Sequence, residues 1–210
     1  MSNIDLKRRA EIGEERRQKR LNKFINAAMS IVAEEGSLYA LSVDSLVKRT
    51  GASRGTFYNY FNNIDDVISA IAQHITEDLN QKILLKYSKV ESGPVRLSYS
   101  LLKFFEKAEE DIVWGTVFTK LILDLGLISD KSTEYFEQDL NIGREQGSFT
   151  VMDNQLATNI VGGVLAFTLN SILKEGLEEE QKRKTLVSVL LALGTSQSTS
   201  QAAVKRAFEL

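Results

Sequence analysis

Apolar positions recur along most of the chain at the spacing of a helix rather than the alternation of a strand. Leu21, Phe24, Ile25, Ala28, Ile31 and Val32 follow an i, i+3, i+4, i+7 rhythm, with basic residues on the other face. That rhythm predicts a helix from about Glu14 to Glu35, and Gly36 stops it. Ser42 is a good N-cap for a short helix, Val43 to Thr50, with Val43, Leu46 and Val47 inward. Gly51 then supplies a backbone position able to take positive φ. Ser53 caps a second short helix, Arg54 to about Tyr60, which buries Phe57 and Phe61. Asn62 and Asn63 form a turn, and Asn63 caps a long helix to about Tyr87 that carries Val67, Ile68, Ile71, Ile75 and Leu79 at helical spacing.

The remaining two-thirds reads the same way. Ser88 to Gly93 is the main linker, and Pro94 fits the first position of a helix running to about Asp111. Ile112 to Leu127 is an apolar segment, one helix or two short ones. Asp130 or Ser132 starts a helix that ends at Gly147. Asp153 caps one that runs through about Lys174, with Gly176 as its stop. Glu178 to Leu193 is the last long helix, and Gly194 to Gln201 is a loose polar connection to a short C-terminal one. No strand pattern and no internal repeat is visible. The expected fold class is all-α.

Composition narrows the chemistry. The 210 residues hold no cysteine and a single histidine. Disulfides, thiolate metal sites, cysteine nucleophiles and two-histidine metal motifs are therefore excluded, and no metal or cofactor is expected. His74 lies in a helical run with no serine or acid tied to it by local spacing, so a structural or solvent-facing role is expected for it. Gly162-Gly163 follows no strand and makes no phosphate loop. The N-terminus is charged and lacks the apolar core of a secretory signal. The most apolar windows, Ile112 to Leu127 and Val161 to Leu173, are shorter than the roughly 20 residues of a membrane span. A soluble, cytoplasmic protein is expected.

A net charge of −2 argues against nucleic acid until it is divided. Residues 1–60 hold eleven Lys and Arg against seven Asp and Glu, a balance of +4, which leaves −6 on the remainder. A basic end on an acidic body suggests a polyanion-binding N-terminus.

The segment Leu41 to Phe61 reads as a helix–turn–helix. Two short helices flank a glycine turn, and an apolar helix precedes and backs them. In such a unit the second helix enters the major groove with its first residues at base edges. Arg54 stands at that helix start, where a guanidinium can pair with guanine O6 and N7. Gly55 lets the backbone approach a base without a Cβ in the way. Tyr58 lies one turn on along the same face, and Asn59 and Tyr60 fan to the flanks, where hydroxyl and amide groups suit phosphate. Arg16, Arg17 and Arg20 come from the preceding helix toward the same end.

At these residues the chain resembles a known family. Ser53-Arg54-Gly55-Thr56-Phe57-Tyr58-Asn59-Tyr60-Phe61 is similar to the recognition-helix signature of the TetR/AcrR-like transcriptional regulators, and the likeness extends over about residues 16–70. It implies a helix–turn–helix DNA-binding domain, residues 1–62, and a helical ligand-binding and dimerisation domain, residues 63–210. It further implies a homodimer that binds a palindromic operator, with repression as the default and release by a small ligand. In the family's pattern Arg54 and Gly55 fall at base-contacting positions. Ser42, Ser53, Thr56, Tyr58, Asn59 and Tyr60 fall at phosphate or flanking positions. One departure stands out. Where the family often carries lysine, three residues after the equivalent of Phe61, this chain has Ile64 followed by Asp65 and Asp66. That phosphate contact is expected to be missing.

In the body, Leu156, Ile160, Val161, Val164, Phe167 and Leu169 lie on adjoining helix faces, and Gly162 and Gly163 permit close helix approach. With Leu186, Val187, Val189, Leu190 and Leu193 they suit a four-helix bundle across a two-fold axis. Tyr99, Phe105, Trp114, Phe118 and Phe167 are candidate walls of an apolar or aromatic ligand site, with Asn170 as a polar group. Two other readings stay open on the residues alone: a helical adaptor that binds protein rather than DNA, and an all-helical enzyme using acidic pairs such as Glu109 and Glu110.

Overall fold

A computed structural model describes residues 3–87, 90–126 and 130–210. Ser88 and Lys89 of the expected linker, and Leu127 of the apolar segment, lie outside the described residues. Among those described there is no strand. The helices are α1 (Asn3–Glu35), α2 (Val43–Thr50), α3 (Arg54–Tyr58), α4 (Ile64–Tyr87), α5 (Gly93–Glu110), α6 (Ile112–Leu125), α7 (Asp130–Glu145), α8 (Asn154–Glu175), α9 (Glu179–Ala192) and α10 (Gln197–Phe208), with one 3₁₀ turn at Leu38–Ala40. They form two compact units, Met1–Ile71 and Ala72–Leu210, and α4 contributes residues to both.

The first unit closes around three phenylalanines. Phe24 of α1 meets Phe57 of α3 edge to face at 5.8 Å and Phe61 at 6.0 Å, and Phe57 and Phe61 are 5.5 Å apart. Phe57 is fully buried, as are Ala28, Val32, Leu46 and Val67 around it. A buried phenylalanine of this kind is worth about 3–5 kcal/mol against alanine, which is how so short a helix as α3 is held. At the periphery Arg49 of α2 grips Glu34 of α1 with two hydrogen bonds, 2.7 and 2.5 Å, and that guanidinium holds the Glu34 carboxyl below its usual range.

The second unit is built on α5, which packs against α6, α7, α8, α9 and α10. One residue joins α5 to α6. Asp111 closes α5 through its N–H to the Lys107 carbonyl and opens α6 by accepting from the Trp114 N–H at 3.0 Å. Trp114 in turn donates its indole Nε1–H to the Ile75 carbonyl of α4 at 2.6 Å. A buried ion pair links α5 to α7: Arg96 Nε to Asp139 Oδ1, 2.6 Å, with the Asp139 side chain only 3% exposed.

Several expectations shift. α1 begins at Asn3 rather than near Glu14, because its first turns are rich in strong helix formers. α3 ends at Tyr58 rather than Tyr60, since the Tyr60 and Phe61 N–H groups both turn back to the Phe57 carbonyl. The apolar segment from Ile112 is one helix, closed at Gly126 with φ +63°. The polar stretch before the C-terminus is no loose connection: α10 starts at Gln197, where Ser196 accepts from the Thr199 N–H, and Ser200 is fully buried. Within the chain, Gly163 makes no close helix approach, whereas Gly115 does. A Cβ on Gly163 would meet nothing within 4 Å, whereas one on Gly115 would press on Ala108 and Leu173 at 3.0 Å. Finally, α8 has 22 residues and a window of mean hydropathy 1.6, long and apolar enough by composition to cross a membrane. Val161, Leu165, Leu169 and Ile172 bury part of that apolar surface in the packing of α8 on α5 and α6, 39% of the window being buried.

Candidate nucleic-acid interface and cavity

Local chemistry sets the geometry of the turn. Ser42 and Ser45 form a reciprocal capping box, each backbone N–H donating to the other's Oγ at 3.0 Å. α2 ends at Gly51 with φ +67°, a conformation that side-chain-bearing residues rarely adopt. Ser53 caps α3 by accepting from the Thr56 N–H at 3.1 Å, and its Oγ also lies 2.9 Å from Thr56 Oγ1. Lys23 of α1 donates to the Thr50 carbonyl at 2.6 Å, tying α1 to the end of α2.

α3 presents one face inward and the rest outward. Phe57 alone is buried, while Ser53, Arg54, Gly55, Tyr58 and Asn59 are exposed and Thr56 and Tyr60 half-buried. Ser42 is exposed at the start of α2. The structure thus brings all eight sequence-predicted residues of this group to the surface of the first unit. Tyr58 leans its ring edge-on against Phe57 at 5.3 Å and stays 54% exposed, so its hydroxyl is offered outward. A Cβ on Gly55 would have only Ser53 Oγ nearby, at 3.8 Å. The fold itself does not need glycine there. Arg54 has a partner that the sequence did not reveal. Asp44 of α2 accepts from its Nε at 3.1 Å and from Nη2 at 2.6 and 2.8 Å.

The acids at the start of α4 have a local task. Asn63 caps that helix by accepting from the Asp66 N–H at 2.9 Å, and Asp66 Oδ2 accepts from both the backbone N–H and the side-chain amide of Asn62 at 2.7 Å. Negative charge at this end also suits the helix dipole. Ile64, where a lysine was the expectation from the resemblance, is half-buried.

The second unit holds a cavity of about 80 Å³ between α4, α5, α6, α7 and α8. Leu97, Leu101, Phe104, Phe118, Val161 and Leu165 are its buried walls; Ser132, Thr133, Tyr135 and Phe136 of α7 are half-buried at its rim. Asn80 donates to Ser132 Oγ across it at 2.9 Å, and Asp139 of the buried ion pair also lines it. Of the six residues proposed from sequence as a ligand site, Phe118 is in this lining. Trp114 is stacked behind it at 4.9 Å, and Tyr99 and Phe105 are buried outside the lining. Burial raises the Tyr99 hydroxyl's pKa, opposed by the Lys103 charge. Phe167 is 67% exposed beside a shallow groove between α8 and α9, and Asn170 is half-buried on α8. Asn80, Arg96 and Asp139 were missed, because their pairings span 52 and 43 residues and leave no local pattern.

His74 is exposed, and Glu109 is taken by Lys182 at 2.6 Å. Among the described residues no group of His, Asp or Glu could hold a metal ion.

Comparison with known proteins agrees with this geometry. Residues 24–71 match the family described as bacterial regulatory proteins, tetR family. Over 60 residues the chain is 38% identical to the "Uncharacterized HTH-type transcriptional regulator YvdT" of Bacillus subtilis (strain 168); the alignment covers 28% of this chain and 30% of that relative, so the chain matches less than a third of its length. It is 23% identical over 182 residues to the HTH-type transcriptional regulator SrpR of Pseudomonas putida, with 80% of each chain covered. Among solved structures, RolR in complex with resorcinol shares the fold, with a TM-score of 0.68 at 21% identity over 92% of this chain and 96% of that one.

Proposed function

We propose that the first unit, whose residues 24–71 match the tetR family, is a DNA-binding helix–turn–helix, and that the chain is a homodimeric repressor that binds a palindromic operator and is released by a small ligand. The observation that carries the DNA side is α3 itself. A five-residue helix with one buried side chain contributes little else to the fold, yet it displays Arg54, Gly55, Tyr58 and Asn59 together. Arg54 and Gly55 read bases; Ser42, Ser53, Thr56, Tyr58, Asn59 and Tyr60 bind phosphate or flank the site. Residues 1–62 do this work and residues 63–210 hold ligand and partner.

The dimer is proposed along α8 and α9. Leu156, Phe167 and Leu191 are exposed there, and the open space at Gly163 leaves room for a partner helix. The ligand is proposed for the cavity walled by Phe104 and Phe118. Its small volume and apolar walls suit a compact aromatic molecule, and RolR, which shares the fold, is described with resorcinol. An operator in a bacterial cell is reached in the cytoplasm, where this protein would act.

Selection of bound duplexes from a random pool tests the reading. A recovered palindrome is expected, with a sedimentation mass of two chains for the protein at micromolar concentration. A pool without enrichment, or a binding constant insensitive to salt, would favour a protein-binding adaptor instead.

A further inference from the structure

α1 is longer than its fold requires. It spans 33 residues, but residues 11–20 are exposed on every side, and burial from there on begins at Phe24. The family match begins at Phe24, at the point where α1 enters the core. The preceding turns extend about 26 Å from Asn3 to Arg20 at 1.5 Å per residue. A helical stretch exposed on every side, as residues 11–20 are, has no packing reason to be kept, which directs attention to its charges.

Those charges are segregated. At 100° per residue, Arg16, Lys19, Arg20 and Lys23 fall within an arc of about 100°. Glu11 and Glu14 fall on the far side of the same helix, and Glu15 lies about 40° from Lys19 at the edge of the stripe. The basic stripe has a defined direction. Its lower end, Arg20 and Lys23, lines a cleft with Thr50, Gly51, Ser53 and Thr56, directly beside the start of α3. Lys23 is fixed there by its bond to the Thr50 carbonyl. Arg16 and Lys19 continue the stripe one turn further out, both exposed and without an ion pair among the described residues. The helix therefore leaves the core at the level of the turn and carries its cationic face onward from the edge of the proposed base-reading surface.

We propose that the N-terminal half of α1 is a second DNA-binding element, a phosphate clamp in which Arg16, Lys19 and Arg20 follow the backbone beyond the duplex segment covered by α3. This rests on the DNA-binding reading of the helix–turn–helix. The partner is fixed by charge complementarity: a row of cations spaced by one helical turn meets a polymer that carries a negative charge about every 1.7 Å of axis. The clamp reads no sequence. It lengthens the footprint and steepens the salt dependence.

The test uses the full chain and a random-sequence 40-base-pair duplex, followed by fluorescence anisotropy between about 50 and 200 mM KCl, the range over which such contacts are lost. The double variant Arg16→Gln/Lys19→Gln should lower the log K against log[salt] slope by about 0.9 for each phosphate contact removed. Far-UV circular dichroism should match wild type, because both side chains are exposed. A charge-matched control in the second unit, Lys174→Gln/Lys205→Gln, should leave the slope in place. On a duplex recovered by selection, hydroxyl-radical protection should shorten at its outer ends while base preference stays the same. A double variant with the wild-type slope, or a control that lowers it equally, overturns the clamp and leaves the helix–turn–helix reading standing. Wild-type protein that binds no duplex at low salt overturns both.

Discussion

Arg54 at the start of α3 is clasped by Asp44 of α2, with Nη2 at 2.6 and 2.8 Å from the two carboxylate oxygens and Nε at 3.1 Å from one of them. The two side chains are 64% and 70% exposed, so the pair adds little to stability. Its effect is on direction: Asp44 occupies the same donor edge that a guanine would use. Base reading by Arg54 must then either displace this carboxylate or share its donors with it.

Arg54→Ala should cost about 1–3 kcal/mol of operator affinity and relax preference at one position per half-site. Asp44→Asn should tighten binding to random duplex, because a negative charge beside the phosphates is removed, while narrowing the gap between operator and random sequence. Both variants should melt within about 0.5 kcal/mol of wild type. Equal loss on all sequences for the arginine variant would count against base reading.

Gly55→Ala separates folding from recognition. The position lies in a helix with a negative φ and open space for a Cβ. Alanine should therefore leave the fold unchanged or stabilise it by up to about 1 kcal/mol. Operator affinity should nevertheless fall, since the added methyl stands between backbone and base. Undiminished affinity in a mobility-shift titration would remove Gly55 from the interface.

Tyr58→Phe deletes a hydroxyl that points outward from a ring anchored on Phe57. Affinity should drop by roughly 1 kcal/mol on every sequence tested, as expected for a phosphate contact. A changed base preference in repeated selection would reassign the hydroxyl to a base edge.

Trp114→Phe removes the donor to the Ile75 carbonyl and part of the ring stacked on Phe118 at 4.9 Å. The loss should be about 1–3 kcal/mol, read as a lower urea midpoint at constant m-value. Trp114 is the chain's one tryptophan, so in wild type a ligand entering the neighbouring cavity should change its fluorescence. A midpoint within error of wild type would show that the indole bond is not stabilising.

Acid should loosen the second unit through Asp111. Burial raises its carboxyl, but the Trp114 N–H and the Lys107 ammonium outweigh that, and the net shift is downward. A depressed carboxyl contributes stability above its unfolded pKa and loses it as pH falls through the folded value, that is, below about pH 4. Asp111→Asn keeps an N-cap acceptor without a titrating charge. Its stability against pH should be flatter than wild type between about pH 5 and 2, and parallel curves would assign the acid response elsewhere.

The sequence alone determined the parts that depend on neighbours in the chain. Helix starts at Ser42, Ser53 and Asp153 were legible because an N-cap acts within three residues, and Gly51 because a left-handed turn needs a residue without a Cβ. The outward display of Arg54, Gly55 and Tyr58 followed from periodicity around Phe57. Tertiary structure decided what depends on distant partners. It placed Asp44 against Arg54, buried Arg96 with Asp139, and put Phe118 rather than Tyr99 or Phe105 on the cavity wall. An aromatic residue on an apolar helix face buries its surface equally well in a core or in a cavity lining, so hydrophobic pattern could not separate the two. Only the packing of α5, α6, α7 and α8 did so, and only the exit of α1 beside the turn gave its basic stripe a direction.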